Sequence, residues 1–250
     1  MGFLDDKEPS RAGVDEIVAV IAILERQNIP CCVVAESALI YYGTGRMRND
    51  WVLCVPTDKL TDAASVLGSY DSVYESFRPS VMRALEGMHH LYPRFKLRGI
   101  ALFFVLTTAQ ECHIVCAPEN FERSQNGIPY PKLSVYAQSL LDTNNLLDLD
   151  DLIDGMNLSV EWGLENLDLD GTFDMEWGRW KIDVLRNSGT SIVGLPLHLE
   201  TPHSRRKTWE HAASSEQKKK RQGWKLLENH PTRFWHNGQK DPRLEKRDFC

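Results

Sequence analysis

Residues 30–56, PCCVVAESALIYYGTGRMRNDWVLCVP, carry the pattern from which the fold is read. Pro30 ends what precedes it, and Cys31 to Ala35 is an apolar run of strand length. Glu36 and Ser37 begin a turn or a helix entry, Ala38 to Tyr42 continues as a short helix, and Gly43 and Gly45 stop it. After the pair Arg46 and Arg48, Asp50 opens a second strand that Pro56 closes. Upstream, Ile17, Val20, Ile21 and Leu24 recur at three- and four-residue spacing, which predicts an amphipathic helix over 15–28. Downstream, the pattern predicts a helix over 57–67, a short strand near Val73, and a strand over 100–107, IALFFVLT. A further strand is expected at 113–116, and helices at 133–141, at 146–154 and from the start of the segment WGLENLDL. The expected class is α/β (α+β): a mixed sheet flanked by helices, a helical C-terminal half and a basic tail.

The charge is divided along the chain. Residues 202–250 hold 13 Lys and Arg against 6 Asp and Glu, whereas residues 1–201 hold 16 against 29, so the formal net charge of −6 conceals an acidic body and a basic end. We expect a body over 1–201, including an acidic helical segment at 133–183, and a basic arm over 202–250. The first residues, MGFLDDKEPSRAGVDE, lack a basic start followed by an apolar stretch. No apolar run approaches the length of a bilayer, which predicts a cytoplasmic protein without a membrane partner. Asp6 and the terminal Cys250 do not fit the common lipidation signals. Five of the six cysteines sit in apolar surroundings without a CxxC pair and read as buried free thiols. On a strand Cys112 and Cys116 would share a face and His113 would point away, so no metal site is expected there.

Two further stretches bear chemistry. In 148–163, DLDDLIDGMNLSVEWG, helical spacing places Asp150 and Asp154 on one face with Asp151 beside them, and Glu161 and Glu165 follow. Such a cluster can raise a carboxyl pKa to make a proton acceptor, or grip a guanidinium in bidentate fashion; a solvated acidic face uses the same residues. In the tail, Arg205, Arg206, Lys207, Lys218, Lys219, Lys220, Arg221, Arg233, Arg243 and Arg247 alternate with Trp209, Trp224 and Trp235. This pattern suits phosphate neutralisation and base stacking, and serves equally for a nuclear-localisation signal or for a helix lying on an acidic body.

The layout of residues 30–56 resembles the nucleotidyltransferase fold, in its minimal and toxin-associated branches, over about the first 110 residues. The resemblance implies that the turn bearing Ser37 touches a triphosphate and that Asp50 opens an Asp-x-Asp magnesium motif. Two positions depart from it: Glu36 stands where the family has Gly, and Val52 where it has the second Asp. The strand IALFFVLT carries no third carboxylate, and one carboxylate cannot hold a two-metal site. Taken residue by residue, Ser37 also reads as a helix cap, and Asp50 as the partner of Arg46 or Arg48.

Over nearly its full length, through ESALIYYGTGRMRNDWVLCVP, PKLSVYAQSLLDT, DLDDLIDGMNLSVEWGLENLDL and DPRLEKRDFC, the chain resembles the fungal arginine-containing cyclodipeptide synthases. That resemblance implies condensation of Arg from arginyl-tRNA with the residue of a second aminoacyl-tRNA into a cyclo-Arg-Xaa diketopiperazine. It implies no cofactor, no metal and no stable protein partner. The family's DDxxE motif is matched by Asp150-Asp151-Leu152-Ile153-Asp154, with Asp in the last place. The expected catalytic set is Asp150, Asp151, Asp154, Asp50 and Ser37, with Ser134 a second candidate for a covalent aminoacyl intermediate. Glu36, Glu161, Tyr42 and Trp51 are expected around the substrate, and the ten tail cations around tRNA. The competing expectations are a magnesium-dependent nucleotidyltransferase and a catalytically dead nucleotidyltransferase-like RNA-binding module.

Overall fold

A computed structural model describes residues 6–80, 87–190, 192, 195–222 and 241–244. The chain forms two compact units. Among the described residues, the first comprises 6–38, 47–80 and 87–132, and the second 39–46 and those from 133 onward. The expected boundary at 201/202 is not where the chain divides: the break falls after Lys132, and the described part of 202–250 is helix within the second unit. No helix among the described residues is long and apolar enough to cross a membrane.

The first unit is built on a five-stranded sheet. In chain order its elements are α1 (Val14–Arg26), β1 (Cys32–Val34), α2 (Glu36–Tyr41), β2 (Trp51–Val55), α3 (Leu60–Gly68), β3 (Tyr74–Ser76), β4 (Arg94–Leu97), β5 (Phe103–Thr108), α4 (Ala109–Cys112), β6 (Phe121–Arg123) and β7 (Pro129–Pro131). The chain passes from the first unit to the second within α2. The sheet runs β1-β2-β5-β4-β3, with β2 and β5 parallel and every other neighbour antiparallel; β6 and β7 form a separate hairpin. The expected mixed sheet with flanking helices is therefore present, and so is the order strand, helix and second strand; the turn between the first two falls at Ala35, at φ 56°, and Glu36 and Ser37 already belong to α2. Every residue of β2 is buried, as befits an unbroken WVLCV run at the centre of a sheet. Ile17, Val20, Ile21 and Leu24 of α1 and Ala63 and Leu67 of α3 are buried, so the spacing that predicted each helix also marks its inner face.

Two elements differ from expectation. β4 was not expected, because alternate positions of Arg94-Phe95-Lys96-Leu97 are charged although all four are buried. Phe95 stacks on Phe104 of β5 at 5.4 Å, whereas Arg94 and Lys96 are neutralised by Asp50 and Asp6 at 2.8 and 2.6 Å. The strand expected at 113–116 is absent. Thr108 accepts a hydrogen bond from the Glu111 amide and caps the short α4, and His113, at φ 51°, ends it in the left-handed region.

The second unit is helical, as expected of the C-terminal half: α5 (Leu133–Asp142), α6 (Leu146–Met156), α7 (Val160–Asn166), α8 (Met175–Asn187), α9 (Leu195–Glu200), α10 (Arg205–Ala213) and α11 (Ser215–Gln222). Side chains cap the helix starts. Asn145, Ser159, Asp174 and Ser204 each accept a hydrogen bond from a backbone amide two or three residues on. α10 packs across α5, α6 and α7, with Trp209 fully buried. Residues 39–46 are fastened to α6 by a backbone-to-backbone approach: a Cβ on Gly155 would stand 2.5 Å from the Tyr42 carbonyl oxygen. Only glycine permits that approach, and through it Arg46 reaches the carboxylates of α6.

Candidate functional site

The carboxylates of α6 form the densest charged group of the second unit. Helical spacing sorts them into two pairs, Asp148 with Asp151 and Asp150 with Asp154, and each pair holds one guanidinium. Arg46 places Nη1 2.7 Å from Asp148 Oδ1 and Nε 2.5 Å from Asp151 Oδ2. Arg221, in the last turn of α11, donates from Nε and Nη2 to the two oxygens of Asp154 at 2.6 and 2.9 Å. Its Nη1 stands 2.9 Å from Asp150 Oδ1, and its Nη2 also donates to the Ala212 carbonyl at 2.7 Å. The Asp154 side chain is 0 % exposed. A carboxylate so buried keeps its charge only with a partner that offers several donors, and the planar fork of arginine does so.

The two pairs differ in electrostatics. Burial, together with the negative charges of Asp154 and Asp151, raises the Asp150 carboxyl above the ordinary carboxylate range, although Arg221 opposes the shift. A carboxylate shifted in this direction is suited to accept a proton. Burial works against the charge of Arg221, but Asp154, Asp150 and Asp151 outweigh it and hold the guanidinium firmly protonated. Lys218, one turn before Arg221 on α11, is lowered mainly by burial and donates to Asn157 Oδ1 at 3.1 Å.

In the first unit Asp50 meets neither Arg46 nor Arg48. Arg94 of β4 holds it instead, donating from Nε and Nη2 to both carboxylate oxygens at 2.8 Å while lying 4.3 Å over the Phe103 ring. A divalent cation does not fit here. Both Asp50 oxygens already face a fixed cation, the Val52 side chain offers no oxygen, and among the described residues no three His, Cys, Asp or Glu side chains converge on one point. Arg48 lies 3.6 Å over the Trp51 ring, donates to the Ala12 carbonyl at 3.0 Å, and reaches Ser37 Oγ at 3.4 Å. Ser37 and Trp51 are both buried, so Trp51 is a packing platform for Arg48 rather than an open face for a substrate. Glu36 is half-buried in the first turn of α2.

The other expected residues divide between core, surface and internal pairing. Tyr42 is fully buried and stacks on Tyr136 at 6.2 Å, which makes it a core residue. Glu161 is exposed at the start of α7, where its own backbone amide and the Ser159 hydroxyl lower its pKa; it stands outside the α6 cluster. Ser134 is half-buried in the first turn of α5. Of the tail cations, Arg205 pairs with Asp142 at 2.6 Å and Asp168 at 3.3 Å, and Arg221 lies in the α6 cluster, so these two are tied to acids of their own unit. That is the use of a helix lying on an acidic surface. Arg206, Lys207, Lys219 and Lys220 are exposed, Lys220 pairing with Glu216 one turn away. Arg243 pairs with Asp241 at 2.7 Å. Arg233 and Arg247 lie outside the described residues, as do Trp224 and Trp235. Arg94 escaped the sequence reading; the alternation of charge and apolar residues in RFKL is the signal that could have found it.

No family model matches the chain, and no curated protein matches it in sequence. Among solved structures it is similar to the antibiotic-resistance factor ANT(2″)-Ia. The crystal structure of that protein with adenylyl-2″-tobramycin is 12 % identical and covers 70 % of this chain and 95 % of its own, at a TM-score of 0.34. Its solution structure is 11 % identical and covers 74 % and 95 %, at 0.35. JHP933 from Helicobacter pylori is 12 % identical and covers 88 % of this chain and 98 % of its own, at 0.37. At such scores the likeness carries no argument about chemistry.

Proposed function

We propose that the chain is a metal-independent, aminoacyl-tRNA-dependent cyclodipeptide synthase that takes its arginine from arginyl-tRNA. One observation carries the reading: the buried Asp154, with Asp150 beside it, grips a guanidinium through both its oxygens. An arginyl side chain would enter by exchange, its guanidinium taking the place of Arg221 or of Arg46. Such an exchange costs little, because the carboxylates are never left bare. The α-amine of one aminoacyl ester then attacks the carbonyl of the other and releases the first tRNA hydroxyl, and the second amine closes the ring and releases the second. Asp150 is suited to take the amine proton and pass it to the departing ribose oxygen. The esters are already activated, so neither step calls on ATP or a metal, in keeping with an Asp50 that Arg94 occupies.

The test is reconstitution with arginine, a set of amino acids, tRNA and their synthetases. A cyclo-Arg-Xaa product that disappears after RNase treatment is expected, and Asp154→Asn should abolish it while tRNA binding persists. No product with any amino acid would overturn the proposal. A second reading, an RNA-binding module without turnover, is favoured by one fact: the carboxylates of both pairs on α6 already hold arginines of the chain itself. It predicts salt-sensitive RNA binding and no product.

A further inference from the structure

Four cysteines of the first unit gather at one place, whichever reaction the chain performs. Cys32 and Cys54 face each other in the antiparallel register of β1 and β2. Left-handed His113 breaks α4 and turns the chain back over this strand pair, so that two more thiols reach it. The Cys116 thiol is within hydrogen-bonding reach of the thiols of both Cys32 and Cys54, and the Cys112 thiol of that of Cys54. Cys116 Sγ also stands 3.3 Å from the Pro30 carbonyl oxygen and 3.5 Å from that of Cys54. Cys32 and Cys54 are fully buried, whereas Cys112 and Cys116 are half-exposed. Cys31, which also feels the charge of Cys116, lines a cavity of about 410 Å³ beside Ile29 and Phe121.

Buried thiols alone would be inert, and an exposed thiol alone would oxidise without a partner. Here the thiol of a partly exposed residue lies within hydrogen-bonding reach of two buried ones, which is the arrangement of an oxidisable thiol with its resolving thiol. We propose that Cys116 is a peroxide-oxidation site resolved by Cys32 or Cys54 into an intramolecular disulfide. Hydrogen peroxide takes two electrons from the Cys116 sulfur; the O–O bond breaks, a sulfenic acid forms and one water leaves. The neighbouring thiol then attacks that sulfur; the S–O bond breaks, the S–S bond forms, and the thiol proton leaves with the hydroxyl as a second water. The product ties the 113–117 turn to the centre of the sheet.

Treatment of the purified full chain with hydrogen peroxide, followed by blocking in denaturant, tryptic digestion and mass spectrometry, tests this directly. Cys112 and Cys116 lie in the tryptic peptide 99–123, Cys54 in 49–59, and Cys32 in 27–46 with Cys31. We expect peptide 99–123 to be joined to 49–59 or 27–46, with fragmentation placing the bond at Cys116, and the free thiols to fall from six to four. Cys112→Ser should still form the bond and Cys116→Ser should not. A link only between 27–46 and 49–59, a bond in Cys116→Ser equal to that of wild type, or Cys116 found only as sulfinic or sulfonic acid would overturn the proposal. Because the mapping is done on the wild-type chain, it holds even if a variant fails to fold.

Discussion

Arg221→Ala is the sharpest test of the α6 carboxylates as a guanidinium receptor. The substitution removes the two bonds to Asp154, the contact with Asp150 and the bond to the Ala212 carbonyl, and leaves a wholly buried carboxylate with no guanidinium and only the charge of Lys218 nearby. Removing one partner of a buried pair costs about 3–5 kcal/mol. The Arg221 side chain is 20 % exposed and Asp150 33 %, which lets water screen part of the loss, so the lower figure, about 3 kcal/mol, is the working value. For a chain of this length that is a fall in Tm of about 6–12 °C. The vacated site should then be refilled from solution. Agmatine, a guanidinium on a short carbon chain, should restore about 2.7 kcal/mol when present at 100 times its Kd, whereas a primary amine of equal charge and length should restore far less. Differential scanning fluorimetry of wild type, Arg221→Ala and Arg221→Lys against both ligands reads the result. Equal Tm values for wild type and Arg221→Ala would refute the energetic argument, and equal rescue by the amine would refute guanidinium recognition.

Asp150 should also leave a pH signature. Its folded pKa is raised, chiefly by burial, so the protonated carboxyl favours the fold, and that contribution is lost as pH rises from the ordinary value through the raised one. Asp150→Asn should therefore gain stability relative to wild type as pH climbs from about 4 and level off above the raised pKa; urea midpoints across this range that show a flat or falling difference would contradict it. Gly163→Ala should destabilise the second unit although alanine is the better helix former by about 1 kcal/mol, because its Cβ would clash with the indole of the buried Trp209. Overpacking of this kind costs about 1–3 kcal/mol or more, and chemical denaturation should show a net loss. Replacing Lys219 and Lys220 together by Glu should weaken tRNA binding and flatten its dependence on salt, as filter binding over a salt series would show. Arg205→Ala, which breaks an internal pair, should lower stability and leave the salt slope of binding nearly unchanged.

What the sequence disclosed follows its local physics. Wherever apolar spacing was regular, the element was present within a few residues: α1, β2, α5 and α6 all lie close to their expected spans. The pairing of acidic α6 residues was also visible, because spacings of three and four residues on a helix need no tertiary knowledge. What was not visible is who answers them. Asp50 was expected to meet a neighbour in sequence, yet its partner comes from β4, 44 residues away, and is set by sheet register. Arg221 is likewise 67 residues from Asp154, and nothing in a run of three lysines and an arginine distinguishes the cation that turns inward from those that face water. The reading of 113–116 failed for a different reason. A left-handed residue at His113 is a choice of backbone that an apolar tetrapeptide does not advertise.

The division between acidic body and basic end changes meaning once these partners are known. As a sum over residues it separates an acidic body from a basic end. In the second unit, however, Arg205 and Arg221 spend their charge on Asp142, Asp150, Asp154 and Asp168, so part of the positive excess and part of the negative excess cancel each other inside one packed set of helices. Arg206, Lys207 and Lys219 face solvent, Arg206 within 3.5 Å of the exposed Asp170, so a phosphate could approach them without breaking the buried pairs. The internal pairs have the opposite consequence: they preform, around Asp150 and Asp154, the geometry that an arginyl side chain would need. If an arginyl guanidinium replaced that of Arg221, Asp154 would stay paired at the cost of the Arg221 bond to the Ala212 carbonyl, whereas a ligand without that fork would leave Asp154 buried and underpaired. Selectivity for arginine would then come less from attraction than from the cost imposed on everything else.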